Sequence, residues 1–204
     1  MSPGPLEQQS SEKLIEDTLK EAIRIKTQIL EGDVLLIVEM AKMITSCLRQ
    51  GGKVLFAGNG GSAADSQHLA AELVGRFQRE RAAMPAIALT TNTSILSAIA
   101  NDYGYDTVFS RQIEALATEK DVLVALSTSG ASVNILKAIS AASAKGVRSI
   151  GLTGRHGKAM KDACDLCLMV PSSSTARIQE VHITVGHILC DLVERQFAPE
   201  NSWK

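Results

Sequence analysis

After Gly51-Gly52 the chain alternates short apolar runs with helix-length segments, and no other feature restricts its fold as much. The runs are 53–57 (KVLFA), 86–89 (AIAL), 122–126 (VLVAL), 148–152 (RSIGL) and 166–170 (LCLMV). Segments at 62–78, 93–117, 132–145 and 156–163 separate most of them. Short strands without polar alternation, spaced by helices, predict an α/β domain with a parallel sheet covered on both faces. A last helix over roughly 176–196 closes the chain. Ligands in such sheets gather at the carboxyl ends of the strands. Three loops lie there: AGNGGSAAD after the first run, TTNTS after the second and STSGAS after the third.

Ahead of that domain the pattern is helical. Leu14, Ile15, Leu19, Ile23 and Leu30 recur at helical spacing over 11–31, and Leu35, Leu36, Val38, Ala41 and Ile44 over 33–49. Gly32 with Asp33 reads as a break and a helix N-cap. The division expected is a loose tail at 1–10, a helical hairpin at 11–50, the α/β domain at 51–197 and a second tail at 198–204. The terminal helices carry more apolar surface than a lone domain needs, which predicts a homo-oligomer.

Composition excludes several function classes. A length of 204 residues favours one domain with a helical extension, and 45% hydrophobic residues suffice for a core. Aromatics at 3% argue against a base-stacking platform, and a net charge of −1 leaves no nucleic-acid footprint. The N-terminus lacks the pattern of a signal peptide, and no apolar run approaches the ~20 residues of a membrane span. Cys164 and Cys167 form a C-x-x-C without a second pair, and they read as small core residues at the start of LCLMV. Reduced thiols fit the cytoplasm.

The segment ALSTSGASVN runs from a strand into a helix. Ser127, Thr128, Ser129 and Ser132 supply hydroxyls, Gly130 permits close backbone approach, and a helix N-terminus favours an anion. Hydroxyls without Lys or Arg suit one phosphate monoester on a neutral sugar. These serines also suit plain helix caps, since Ser and Thr are favoured there. A second glycine turn with Asn59, Gly60, Gly61 and Ser62 tips the balance towards a binding site. No G-x-x-x-x-G-K-[ST] is present, so a nucleotide P-loop is not expected.

The helix that opens at this second turn carries His68 and Glu72, four residues apart and so on one face. The last helix, in RIQEVHITVGHILCD, offers Gln179, Glu180, His182 and His187, and spacing does not choose among them. Gln179 and His187 lie about 80° apart around one helix and ~12 Å apart along it, awkward for a single ion. Either residues 174–179 precede the helix proper, or ligands come from more than one subunit.

The motifs AGNGGSAADSQHLAAELVGRF (57–77), AIANDYG (98–104), LSTSGAS (126–132) and STARIQEVHITVGH (174–187) resemble those of the bacterial phosphoheptose isomerases, members of the sugar-isomerase (SIS) domain superfamily. The resemblance runs from about residue 11 to 197. It implies an SIS-type three-layer sandwich, with a five-stranded parallel sheet flanked by helices and an N-terminal hairpin that builds a homotetramer. It implies a cytoplasmic enzyme that converts sedoheptulose 7-phosphate to D-glycero-D-manno-heptose 7-phosphate, the first step of ADP-heptose synthesis. It implies Zn2+, one per active site, on His68, Glu72, Gln179 and His187. Substrate contacts are implied at Asn59, Gly60, Gly61, Ser62, Glu72, Asn101, Asp102, Ser127, Thr128, Ser129, Ser132 and Gln179. Some members carry Asp where this chain has Ala176. Glu72 as base and His187 as proton shuttle suit an aldose–ketose isomerisation through an enediol. The alternative is a non-catalytic SIS protein that binds the replication initiator DnaA. As such proteins replace the residues at Glu72 and His187, the retention of both here favours the enzyme.

Overall fold

A computed structural model describes residues 5–199. Its helices are α1 (Pro5–Gly32), α2 (Val34–Arg49), α3 (Gly61–Val74), α4 (Thr93–Tyr103), α5 (Ser110–Leu116), α6 (Val133–Ala144), α7 (Lys158–Ala163) and α8 (Thr175–Glu194). Its strands are β1 (Val54–Gly58), β2 (Ala86–Ala88), β3 (Val122–Ser127), β4 (Arg148–Gly154) and β5 (Leu166–Val170). The five strands form one sheet in the order β2-β1-β3-β4-β5, all parallel. The chain leaves β1 for β2 on one side and returns to β3 on the other, so the switch point of the sheet lies between β1 and β3.

Both faces of the sheet are covered, as the apolar runs require. Side chains alternate between two cores because successive strand residues point to opposite faces. Val54 and Phe56, with Val122, Val124 and Leu126, pack against α2, α3 and α8. Leu55 and Ala57, with Leu123 and Ala125, pack against α5 and α6. β1 and β3 are buried along their whole length.

Three local expectations change. First, α1 begins at Pro5, inside the stretch expected as a loose tail. Proline is well placed at the first position of a helix, and Leu6, Glu7, Gln8 and Gln9 are good helix formers. Residues 1–4 and 200–204 of the two expected tails lie outside the described residues. Second, the helix expected over 93–117 is broken: Gly104, at φ +86, ends α4, and a short 3-10 turn at Tyr105–Thr107 precedes α5. Third, Asp33 does occupy the cap position of α2, but its side chain makes no capping hydrogen bond. Burial pushes its carboxyl above the usual range, partly offset by Lys161.

Only part of the apolar surface of α1 is used within the chain. Ile25 and Ile29 are buried, whereas Leu14, Ile15, Leu19, Ile23 and Leu30 are each more than half exposed, as is Leu35 of α2.

Candidate functional site

The first half of the site is a pocket of about 290 Å³ at the switch point. One wall is the turn after β1, Asn59 to Ser62; the other is the loop after β3, with Ser127, Thr128 and Ser132. Thr175 and Gln179 of α8 close it. No lining side chain carries a charge. Gly130, at φ +64, turns the loop, and its amide donates to Ser127 Oγ at 3.2 Å. The amide of Ala131 donates to Ser129 Oγ at 3.2 Å. Ser132 stands at the cap position of α6, yet its hydroxyl lies 3.1 Å from that of Ser127 and caps nothing. The Ile135 amide donates instead to the Ser132 carbonyl at 3.1 Å, and Ser132 lines the pocket without a side-chain cap on α6, which favours the anion reading of this loop over plain caps. Asn59 and Asn134 exchange amide hydrogen bonds, both 2.9 Å, and Tyr105 donates to Asn59 Oδ1 at 3.2 Å, so the rim is held from α6 and from the 3-10 turn.

The second half lies where α3 packs on α8. His68 Nε2 is 3.0 Å from Glu72 Oε1 and 3.1 Å from His187 Nε2. One ligand atom from each of the three lies within 4.8 Å of the others. A lone Nε2 hydrogen cannot satisfy such a convergence, because imidazole has one N–H in its neutral form and carboxylate only accepts. A cation among the three would satisfy all of them. Two imidazoles and a carboxylate suit a divalent transition metal with a position left for substrate. The close approach of the helices depends on Gly186, next to His187: a Cβ there would sit 2.5 Å from Leu69 Cδ2.

The remaining candidates fall elsewhere. Gln179 packs on Gly61, where an added Cβ would lie 2.4 Å from its Nε2, and it lines the pocket. Because α8 is helical from Thr175, the first of the two alternatives, that residues 174–179 precede the helix, is excluded. Gln179 and His187 are two turns apart on one continuous helix, about 12 Å by helical rise. Asn101 and Asp102 lie at the exposed end of α4, bonded to each other at 2.8 Å, and do not line the pocket. Glu180 forms an ion pair with Arg177, which also donates to the Thr18 carbonyl of α1. His182 is fully buried; burial pushes its imidazole down to about 4, partly offset by the backbone of Thr153. Packing therefore selects His187 from the alternatives that spacing left open.

Asp65 belongs to this region and was missed. It sits one turn before His68 on α3, with Oδ2 buried. Burial raises its carboxyl, and the nearby His68 and His187 pull it back. The signal was present as the spacing Asp65, His68, Glu72, three positions on one helical stripe. The thiols of Cys164 and Cys167 meet over Gly151, at the end of α7 and the start of β5. Both are only partly buried, and a bond from Cys167 lowers the Cys164 thiol.

Residues 19–154 match the family model of the SIS domain. The phosphoheptose isomerase of Rhodospirillum rubrum is 63% identical over 158 residues, 78% of this chain and 84% of that protein. That of Roseiflexus is 52% identical over 184 residues, 90% and 93% respectively. The solved phosphoheptose isomerase from Neisseria gonorrhoeae superposes with a TM-score of 0.85 at 43% identity, covering 90% of this chain and 98% of that one.

Proposed function

This chain belongs to the phosphoheptose isomerases of the SIS-domain family, and from that premise we propose how its residues carry the reaction. It interconverts sedoheptulose 7-phosphate and D-glycero-D-manno-heptose 7-phosphate, and the product enters ADP-heptose synthesis. The relatives lend no support to the DnaA-binding alternative. The observation that carries the reading is the convergence of His68, Glu72 and His187 beside a neutral, hydroxyl-lined pocket.

The pocket holds the phosphate. Ser127, Thr128 and Ser132 line it with hydroxyls, Ser129 stands in the same loop, and the start of α6 has a dipole that suits an anion. Gly61 packs on Gln179, and His68 lies beside His187, so α3 and α8 run side by side in the same direction. The cluster therefore stands about two helical turns beyond the pocket. That offset suits a substrate whose phosphate and carbonyl lie at opposite ends of a seven-carbon chain.

His68, Glu72 and His187 would hold Zn2+; Gln179, the fourth ligand implied by the family, lies about 12 Å along α8 from His187, so a glutamine ligand to this ion would come from a neighbouring subunit. When bound, the ion supplies a positive charge that polarises the carbonyl and its neighbouring hydroxyl. The protein moves the proton. Glu72 directs Oε1 at His68, which leaves Oε2 to take a proton from C1 of the ketose. An enediol follows. His187, protonated while its Nε2 holds no metal, gives a proton to C2; the C1 hydroxyl proton passes to the C2 oxygen to form the aldose, and the proton on Glu72 returns to His187 through solvent, which restores both groups. Asn59, Gly60, Gly61 and Ser62 orient the sugar at the rim. Asn101 and Asp102, exposed on this chain, complete a site across a subunit boundary. The uncovered face of α1 supports a homotetramer, and a monomer in light scattering would overturn that assembly. Four free cysteines support a cytoplasmic location.

The test is a coupled assay with sedoheptulose 7-phosphate, with and without chelator. Turnover that stops on chelation and returns with zinc is expected. Turnover indifferent to chelator would overturn the metal role, and no turnover at all would overturn the isomerase.

A further inference from the structure

Behind the cluster lies a buried structure with no part in the reaction so far. The side chains of Arg81 and Glu194 are both fully buried, with Nε 3.2 Å from Oε1. Glu194 ends α8, seven residues after His187. Its carboxylate accepts from three successive backbone amides, those of Phe77 at 2.9 Å, Gln78 at 2.7 Å and Arg79 at 2.8 Å. Arg81 turns the other way. Its guanidinium donates to the Glu72 carbonyl at 2.8 Å and to those of Leu73 and Gly75, both at 2.9 Å, the last carbonyls around the end of α3. A cation suits the C-terminus of a helix, where the carbonyls lack partners. One ion pair thus fixes the backbone of Glu72 and the loop after it.

That loop delivers Phe77. Its ring stacks on the His187 imidazole, centroids 5.3 Å apart and planes inclined at 22°. A second constraint comes from His68, whose ring centroid is 5.0 Å from that of His187. An imidazole on a helix can turn about χ2, since that torsion is broad. The stacked Phe77 ring and the contact with His68 both restrict that turn and favour the orientation that keeps Nε2 at the cluster. Groups behind a metal-ligating histidine set its orientation, and losing one typically costs 10–100-fold in metal affinity or activity.

We propose that Phe77, held in place by the buried Arg81–Glu194 pair, is the positioning residue that fixes the His187 imidazole for metal binding and proton transfer. The inference rests on the reading of His187 given above. Phe77 touches neither the pocket nor the reacting carbons, so its loss acts through His187.

Changes at Arg81 or Glu194 would strand a buried charge and risk unfolding, so the test uses Phe77. Phe77→Leu keeps apolar bulk without the flat face, and Phe77→Tyr restores the face. Four quantities are read for each: melting temperature of the metal-free protein, zinc affinity by competition with a chromophoric chelator, and kcat and KM for sedoheptulose 7-phosphate. Phe77→Leu should melt close to the parent, bind zinc roughly 10–100-fold more weakly and lose kcat by a similar factor, with KM little changed. Phe77→Tyr should recover zinc affinity and kcat to within a few-fold. Parent-like zinc binding and kcat in Phe77→Leu, or a Phe77→Tyr variant as impaired as Phe77→Leu, would overturn the proposal. Absence of turnover in the parent would instead count against the function. The metal-free crystal structure of Phe77→Leu then decides: His187 Nε2 turned away from His68 supports the proposal, and an unmoved ring overturns it.

Discussion

The pocket at the β1/β3 switch point and the cluster between α3 and α8 are built from opposite materials. The pocket uses backbone, hydroxyls and amides, with no charged side chain on its walls. The cluster brings together two imidazoles and a carboxylate, with the Asp65 carboxyl close by. Each wall of the pocket comes from one short loop. The cluster joins residues 119 positions apart in sequence. A phosphate has a fixed charge and shape, so two loops with free donors can hold it. Proton transfer needs groups at tuned distances, which depend on how closely two helices approach.

The largest test of this contrast removes the two proposed proton carriers. Glu72→Gln and His187→Ala should each lower kcat by about 10²–10⁴-fold with circular dichroism unchanged, as expected for loss of a general acid or base. Near-normal turnover in either would show that the cluster is not the chemical half of the site.

His182 lies on α8 between the two regions, and it sharpens the comparison because it is structural. Its imidazole is neutral in the fold, since burial holds it at about 4, below the usual value of 6.5. Below that usual value the unfolded chain takes up a proton that the native chain refuses. Stability is therefore full above about pH 6.5 and declines as the pH falls towards 4, by about 3 kcal/mol in all for this group. Urea titrations across that range should show the decline, and His182→Gln should flatten its His182 component. An equal slope in that variant would assign the acid loss to other groups.

The smallest effect belongs to the pocket. Ser129→Ala removes one hydroxyl of the loop proposed to hold the phosphate, which is bound alike in ground and transition states on that proposal. KM should rise about tenfold, the value of one charge-assisted hydrogen bond, while kcat changes little. A fall in kcat at constant KM would erase the division between a binding half and a chemical half.

What could be read from sequence alone follows the same division. The five apolar runs became the five strands; the central β1 and β3 are buried along their whole length and so apolar in the run, while the edge strands β2 and β5 are less buried but equally short and apolar. The two glycine-rich loops were placed at strand ends for the same reason, and the sheet order then set them side by side at the switch point. His68 and Glu72 shared a face because helical spacing is local. Local rules failed where one residue overrode a periodic stretch, as at Gly104, whose positive φ ends α4.

The sequence by itself determined the elements, the loops and the family. Only the tertiary structure decided which of Glu180, His182 and His187 faces His68. All three share α8, and the choice depends on the angle at which that helix meets α3. Gly186 sets the approach, and the Arg81–Glu194 pair ties the far end of α8 to the end of α3. Asp65 and Phe77 gained their places in the same way. Phe77 meets His187 and Glu194, both more than a hundred positions away, and such contacts leave no period in the chain; for Asp65 the stripe with His68 and Glu72 was legible and only its nearness to His187 was not.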